Sequence, residues 1–160
     1  MPLRSSGLMP FRLADGLEVL IAHPGGPFWA RKDEDAWSLV KGVGDPEETD
    51  KETARREFTE ETGWAVDDDG WHPLGETTLK SGKRIVAWAV EADFDPDSLQ
   101  PGHFEMEWKG RQMTFPEIDR VEWFEPDEAI RRLNPAQGVF VERLLEMLTT
   151  DTKIPKGNDL

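Results

Sequence analysis

The segment from residue 42 to residue 64 constrains the fold most strongly, because both ends of a helix can be read from it. Thr49 and Glu52 have the T-x-x-E spacing of a capping box, in which each side chain accepts a hydrogen bond from a backbone N–H at the start of a helix. Gly63 stands where the chain leaves the helix in a left-handed conformation that glycine adopts easily. The sequence therefore predicts a loop followed by a helix that begins after Thr49 and ends at Gly63.

Three glutamates project from one side of this predicted helix. Glu57, Glu60 and Glu61 follow steps of three and four residues. Ala54 and Phe58 lie on the adjacent stripe, which can face a sheet. Like charges at this spacing destabilise a helix by roughly a few tenths of a kcal/mol per pair, so we expect a cation nearby. Mg²⁺ and Mn²⁺ prefer carboxylate oxygens, and Mg²⁺ commonly completes its shell with phosphate oxygens, which favours metal-assisted phosphate chemistry.

The same segment resembles the Nudix box. Gly42 is followed after five residues by Glu48, and after seven more by the run from Arg56 to Trp64. All seven fixed identities of the box stand at the right spacing, which makes the match far more specific than a lone glycine motif. Phe58 and Trp64 are rings at positions where the family usually has an aliphatic residue, a difference in packing that removes no ligand.

The resemblance extends beyond the box and implies a fold and an activity. Residues 23–29, 104–108 and 134–137 resemble a bacterial subgroup described as predicted nucleoside triphosphate pyrophosphohydrolases. The implied fold is α+β, an α/β/α sandwich with a central mixed β-sheet flanked by helices. The implied protein is a hydrolase dependent on Mg²⁺ or Mn²⁺ that cleaves a phosphoanhydride in a nucleoside diphosphate linked to another group. We expect dinucleoside polyphosphates or nucleoside triphosphates as substrates, ahead of nucleotide sugars.

Carried over residue by residue, the resemblance also implies a metal site. Glu57, Glu60 and Glu61 correspond to metal-binding, catalytic carboxylates, and the Gly42 carbonyl to a further ligand. Arg56 is expected to support catalysis by holding these glutamates in place with charge-assisted hydrogen bonds, because a guanidinium can bond two carboxylates at once.

Other candidate site residues lie around this set. Glu48 is expected to be an auxiliary carboxylate. The spacing of Glu117 six residues before Trp123 is similar to asymmetric diadenosine tetraphosphate hydrolases, where an acidic residue beyond the box assists the metal site or the attacking water. Lys41 and Arg84 are expected to bind the substrate phosphates. The acidic residues of this later region that stay open for the role of Glu117 are Glu105, Glu107, Asp119 and Glu122.

Each of these patterns has a rival interpretation. The glutamates can form a solvated acidic helix face, although the complete box favours metal binding. A non-catalytic Nudix-fold domain that senses a nucleotide, and an acidic protein that binds only divalent ions, also stay open. His23, His72 and His103 are too scattered to form a metal-ligand set. The aromatic residues that are more typical of a core than of base stacking are Trp29, Trp37, Trp88, Phe104 and Trp108.

Composition limits the partners. The 33 acidic and 19 basic residues give a formal net charge of −14, which excludes a generic surface for duplex DNA. The absence of cysteine excludes disulfides and thiolate sites. No apolar run approaches the roughly 18 residues of a membrane helix, so we expect a cytoplasmic protein with a small nucleotide as its partner; a homodimer stays open. The length predicts one domain, residues 1–150, with a polar tail at 151–160.

The remaining pattern predicts an order of strands and helices. An Asp-Gly turn at residues 14–16 joins two predicted strands. A helix is predicted from Pro126 to the break at residues 134–135, and another over 136–148. The predicted strands cover residues 8–13, 17–23, 37–40, 75–80, 83–92 and 120–124.

Overall fold

Eight strands and three α-helices make up the computed structural model, which describes residues 4–151. The strands are β1 (Arg4–Ala14), β2 (Gly16–Pro24), β3 (Val40–Val43), β4 (His72–Thr78), β5 (Arg84–Glu91), β6 (His103–Trp108), β7 (Arg111–Pro116) and β8 (Ile118–Phe124). The helices are α1 (Asp50–Thr62), α2 (Pro126–Arg132) and α3 (Gly138–Asp151), and short 3₁₀ turns cover Pro96–Ser98 and Pro135–Gln137. The predicted tail, residues 151–160, lies outside the described residues apart from Asp151.

A mixed sheet of six strands organises the fold. Its order is β4-β5-β1-β2-β8, with β3 also paired to β1. Strand β1 runs parallel to β5, and the other pairs of the sheet are antiparallel. The first half of β1 pairs with β3 and its second half with β2. Strands β2 and β3 therefore lie along the same edge of β1, and residues from both line a cleft.

The sheet buries apolar side chains on both faces. On one face, α2 and α3 cover a cluster that includes Phe11, Trp37 and Phe140. On the other face, α1 contributes Phe58 to a second cluster with Leu8 and its neighbours. Two helical layers around a mixed sheet confirm the predicted α/β/α sandwich. None of the helices in residues 4–151 is both long and apolar enough to cross a membrane.

Two local predictions differ from the structure. The third strand begins at Val40 rather than at residue 37, because Trp37 and Ser38 make only isolated bridges, to Leu133 and Ala22. The hairpin β6–β7 was not predicted from the sequence, although polar and apolar residues alternate along β6 and Lys109-Gly110 follows it. Among residues 4–151 these two strands pair only with each other, so the hairpin adds no strand to the main sheet.

Candidate active site

Helix α1 presents its glutamates because its ends and its buried face are fixed. Thr49 Oγ1 accepts from the Glu52 amide at 3.1 Å, and Glu52 Oε1 accepts from the Thr49 amide at 2.9 Å, which confirms the predicted capping box. Gly63 follows the helix with a φ of 80°. Ala54 and Phe58 are buried against the sheet, so the predicted division of α1 into an apolar face and an acidic face is confirmed.

Strand β3 passes directly over the Glu57 carboxylate. A Cβ atom placed on Gly42 would lie 2.0 Å from Glu57 Cδ, a distance that no side chain can occupy. Residue 42 therefore has to be glycine for the carboxylate to lie against the backbone of β3. This contact brings the predicted ligands from the strand and from the helix together.

Arg56 supplies positive charge to part of the glutamate cluster. Its Nε and Nη2 donate to the two carboxylate oxygens of Glu48, at 2.7 and 2.9 Å. Its Nη1 donates to Glu57 Oε2 and to Glu60 Oε1, both at 3.1 Å. The hydrogen bonds from Arg56, with one from the Asp45 amide, lower the pKa of Glu48 to about 2. One guanidinium thus fixes three carboxylates.

Glu61 is the carboxylate that Arg56 does not reach. Its Oε1 is buried and accepts no hydrogen bond from any of the described residues. Burial, together with the nearby charges of Glu117, Glu57 and Glu60, raises the pKa of Glu61 to about 7. Burial also raises the pKa of Glu57, against the opposing effect of Arg56. The centre of the site is short of positive charge.

The cleft between β2 and β3 has a volume of about 210 Å³ and contains Glu61. Glu117 lines the same cleft from the segment that leads into β8. Lys41, from β3, lines it as well and makes no ion pair with any residue in the range 4–151; burial and the charge of Lys83 lower its pKa to about 8. The full lining is Ala22, Pro24, Ser38, Leu39, Val40, Lys41, Glu61, Glu117 and Ile118.

The donor set fits a divalent cation although its side chains are not gathered around one point. Within residues 4–151, no three His, Asp or Glu side chains lie close enough together to hold a metal ion, and Arg56 bonds two of the carboxylates. A hard cation bound here would pair with the buried Oε1 of Glu61 and would lower the raised pKa values of Glu57 and Glu61.

Most of the predicted site residues converge, and one does not. The structure places Lys41, Gly42, Arg56 and the three helix glutamates around the cleft or beside it. Of the acidic residues left open beyond the box, Glu117 lines the cleft. Arg84 donates to Glu76 on the neighbouring strand β4 at 2.8 Å and is not part of the cleft lining.

Sequence reasoning missed two groups near the cleft. His23 is buried and hydrogen-bonded to Asp119, a pair separated by 96 residues in the chain that no local pattern connects. Gly25 packs so tightly against Pro116 that a Cβ there would lie 1.9 Å from the Pro116 carbonyl oxygen. The Gly-Gly sequence at residues 25–26 was the available signal for this close approach, and it was equally consistent with an ordinary turn.

The comparison with known families agrees with this geometry. A family model described as NUDIX domain matches residues 8–144. The chain belongs to the Nudix family. This confirms the predicted family, and with it a pyrophosphohydrolase as the class of enzyme; hydrolases of this family generally use divalent metal ions. No curated protein sequence matches the chain.

Solved structures share the fold at low sequence identity. A Caenorhabditis elegans Ap4A hydrolase binary complex is 22% identical, with 92% of this chain and 98% of that chain covered and a TM-score of 0.64. The NUDIX domain of Shewanella oneidensis NrtR complexed with ADP ribose is 17% identical and has a TM-score of 0.64, with 93% of this chain and 90% of that chain covered. For a MutT/nudix family protein from Enterococcus faecalis, at 20% identity and a TM-score of 0.57, 78% of this chain matches and spans 44% of that protein.

Proposed function

We propose that this Nudix pyrophosphohydrolase uses Mg²⁺ or Mn²⁺ to hydrolyse a phosphoanhydride in a dinucleoside polyphosphate or a nucleoside triphosphate. The observation that carries the proposal is the half-buried Glu61 carboxylate, whose buried Oε1 accepts no hydrogen bond from the described residues and which lies near the charges of Glu117, Glu57 and Glu60. Such a group is costly unless a cation joins it. Lys41 lines the same cleft and makes no ion pair with the described residues, so its ammonium group can bind an anionic ligand.

The metal ligands in this proposal are Glu57, Glu60, Glu61 and the Gly42 carbonyl. When bound, divalent ions supply positive charge to the phosphoanhydride oxygens and lower the pKa of a coordinated water. Arg56 keeps Glu57 and Glu60 in place through two hydrogen bonds from one Nη atom. Because Glu57 lies against Gly42, the helix and strand ligands have a fixed separation.

Two further residues act on the substrate and on water. The Lys41 ammonium donates to a phosphate oxygen at the wall of the cleft. Glu117, on the opposite wall, accepts the proton of the attacking water, because it is the carboxylate of the lining that belongs neither to α1 nor to its ion-pair network. Arg84 is left out of the proposal, since its guanidinium is already paired with Glu76.

Two structural relatives support the proposed substrate class. One carries the name Ap4A hydrolase and the other was solved with ADP ribose. Both compounds are nucleoside diphosphates joined through phosphate to a second group. We assign dinucleoside polyphosphates and nucleoside triphosphates to this chain ahead of nucleotide sugars, because the strongly acidic protein gains most from metal ions that arrive with a polyphosphate.

The test is product release from a panel of dinucleoside polyphosphates, triphosphates and nucleotide sugars with Mg²⁺, with Mn²⁺ or with chelator, resolved by ion-exchange chromatography. Glu61→Gln is compared with Glu142→Gln, which removes the same charge from an exposed position on α3. We expect metal-dependent turnover of one of the first two classes, lowered by about 10²-fold or more in Glu61→Gln and unchanged in Glu142→Gln.

Other outcomes contradict the proposal in distinguishable ways. Nucleotide binding without turnover of any compound would favour a nucleotide sensor. A thermal shift with Mg²⁺ that no nucleotide alters would favour a protein that binds only divalent ions. Equal turnover in Glu61→Gln and in the wild type would remove Glu61 from the site.

A further inference from the structure

His23 is a buried side chain that joins three parts of the molecule. Its Nδ1 lies 2.9 Å from Asp119 Oδ1, and its Nε2 lies 2.7 Å from the Lys32 carbonyl oxygen. The imidazole is completely buried. Because a carbonyl oxygen only accepts, Nε2 is the donor to the Lys32 carbonyl, and Nδ1 lies at hydrogen-bond distance from the Asp119 carboxylate. Strand β2, the loop that follows it and β8 are tied together by one ring.

The bond from His23 reaches an irregular point of the sheet. His23 pairs with Arg120 and Pro24 pairs with Ile118, so Asp119 is an extra residue on β8. An extra residue of this kind bends a strand and changes the direction of the side chains beside it. Glu117, two positions before Asp119, lines the cleft, whereas Asp119 itself faces His23.

Two backbone hydrogen bonds hold Glu117 next to this irregular point. The Gly25 amide donates to the Glu117 carbonyl at 3.0 Å, and the Glu117 amide donates to the Gly102 carbonyl at 2.8 Å. In the hydrogen bond between them, Gly25 lies two residues after His23, and Glu117 lies two residues before Asp119. The hydrogen bond between His23 and Asp119 is therefore the next contact that joins these two segments after the backbone bond at Glu117.

The charges around the pair leave His23 as the main partner of Asp119. Arg120 Nη1 lies 3.5 Å from the same Asp119 oxygen, a longer contact than that of His23. The Arg120 guanidinium also faces Asp33 at 2.9 Å and Glu122 at 3.3 Å, so its charge is shared. The Trp37 ring contacts the imidazole in a T-shaped arrangement, with 5.2 Å between the ring centroids.

We propose that His23 and Asp119 are positioning residues that hold Glu117 in the cleft. Neither residue is part of the cleft lining, so they act through the backbone of β8 and not by touching the substrate. The kinetic half of this inference rests on the proposed function, in which Glu117 accepts a proton from the attacking water. The structural half, that the pair holds the Glu117 segment, stands without it.

The structural half is tested by amide hydrogen exchange, followed by NMR in the full chain without ligand. Asp119→Ala is compared with Asp119→Asn, which keeps a hydrogen-bonding side chain of the same shape beside His23 Nδ1. The matched control is Glu122→Ala. This variant removes a carboxylate of the same strand that contacts Arg120 and leaves the His23–Asp119 contact in place. In Asp119→Ala we expect exchange of the Gly25 and Glu117 amides to accelerate about tenfold or more, with less than about twofold change in the control and a smaller change in Asp119→Asn.

The kinetic half is tested by a double-mutant cycle with Glu117→Gln. Asp119→Ala is expected to lower kcat about 10- to 100-fold, the usual loss when a group that orients a functional side chain is removed, with KM within about twofold. In the Glu117→Gln background the further loss should be below about twofold, because the positioned carboxylate is already absent. His23→Gln should behave like Asp119→Ala in both backgrounds.

The outcomes separate this inference from the proposed function. Unchanged exchange of the Gly25 and Glu117 amides in Asp119→Ala would overturn the inference, whatever the activity. If Asp119→Ala lowers kcat by the same factor in the wild type and in the Glu117→Gln background, Asp119 does not act through Glu117. If the amides respond as expected but the wild type hydrolyses none of the nucleotides, the proposed function fails and the anchoring of Glu117 stands.

Discussion

Gly42 shows how the absence of a side chain determines the position of Glu57, a proposed metal ligand. The Glu57 carboxylate lies where a Cβ of residue 42 would be. We expect Gly42→Ala to push Glu57 out of place and to lower kcat at saturating metal about tenfold or more, while the fold survives because the strand itself is not strained. Steady-state kinetics and a thermal melt check both parts. Val43→Ala, at the exposed next position of β3, is the control, and an active Gly42→Ala would contradict the packing argument.

Arg56 holds the carboxylates of the proposed metal site through its geometry as well as its charge. Its fork holds both oxygens of Glu48 while Nη1 reaches Glu57 and Glu60. Lysine keeps the charge but cannot make these bonds together. We therefore expect Arg56→Lys to raise the Mg²⁺ concentration for half-maximal activity about 10- to 100-fold. A Mg²⁺ titration of activity measures this shift. Arg55→Lys, the neighbouring residue on α1, should titrate like the wild type, and the same curve for both variants would be evidence against the role of the fork.

At the scale of elements, α1 depends on the residue that ends it. Gly63 has a φ of 80°, and a Cβ there would also lie 2.9 Å from Gln100 Cβ. Gly63→Ala should lower the free energy of unfolding by about 1–2 kcal/mol from the left-handed backbone alone, with a further loss from the contact. Urea unfolding compares it with Gly70→Ala, where φ is 75° and a Cβ would meet nothing within 4 Å. Equal losses in the two variants would show that the contact with Gln100 contributes nothing.

Helix α2 carries a carboxylate whose charge stabilises the fold in a defined pH range. Hydrogen bonds from Arg131 and then from Arg132 lower the pKa of Glu128 to about 2, from an ordinary value of 4.5. A lowered pKa in the folded state gives stability that is complete above pH 4.5 and is lost as the pH falls towards 2. Thermal melts should show Glu128→Gln below the wild type at neutral pH, with the difference disappearing near pH 2. Asp127→Asn removes a charge from the same turn and should not show this pH dependence.

The elements themselves divide into those that local sequence predicts and those that it does not. Helix α1 was predicted to the residue because Thr49, Glu52 and Gly63 are local signals for its two ends. The run from residue 37 to residue 40 is apolar enough for a strand, yet Trp37 is buried by packing between the sheet and α2, so its apolar character did not indicate pairing. The hairpin β6–β7 is exposed along most of β7, which weakens the alternation that marks a strand.

At the scale of the whole molecule, the sequence predicts the members of the site better than their contacts. The glutamates of α1 share a helix, so their spacing alone places them together. Glu117 meets Glu61 only because β8 pairs with β2 beside the cleft, and nothing local to residue 117 encodes that pairing. The same limit applies to Arg84. Its charge favoured a prediction of phosphate binding, but on β5 it forms an ion pair with Glu76 of the neighbouring strand.

The net charge of −14 makes the stability of the whole molecule depend on cations in two separable ways. Screening by NaCl weakens the repulsion among surface carboxylates, with a Debye length of about 10 Å at 0.1 M salt, and should raise the unfolding temperature of every variant alike. Mg²⁺ at matched ionic strength should add a further increment by binding the folded state, about 2.7 kcal/mol at roughly a hundred times its dissociation constant.

The second effect identifies the site and the first does not. Thermal melts in NaCl and in MgCl₂ of equal ionic strength should separate them: Glu60→Gln is expected to keep the response to NaCl and to lose most of the added response to Mg²⁺. Glu142→Gln removes the same single negative charge at an exposed position on α3 outside the cleft lining, and it should keep both responses. If Mg²⁺ and NaCl stabilise the wild type equally at matched ionic strength, the clustered carboxylates respond only to general screening. The carboxylates of α1 would then not form a specific metal site.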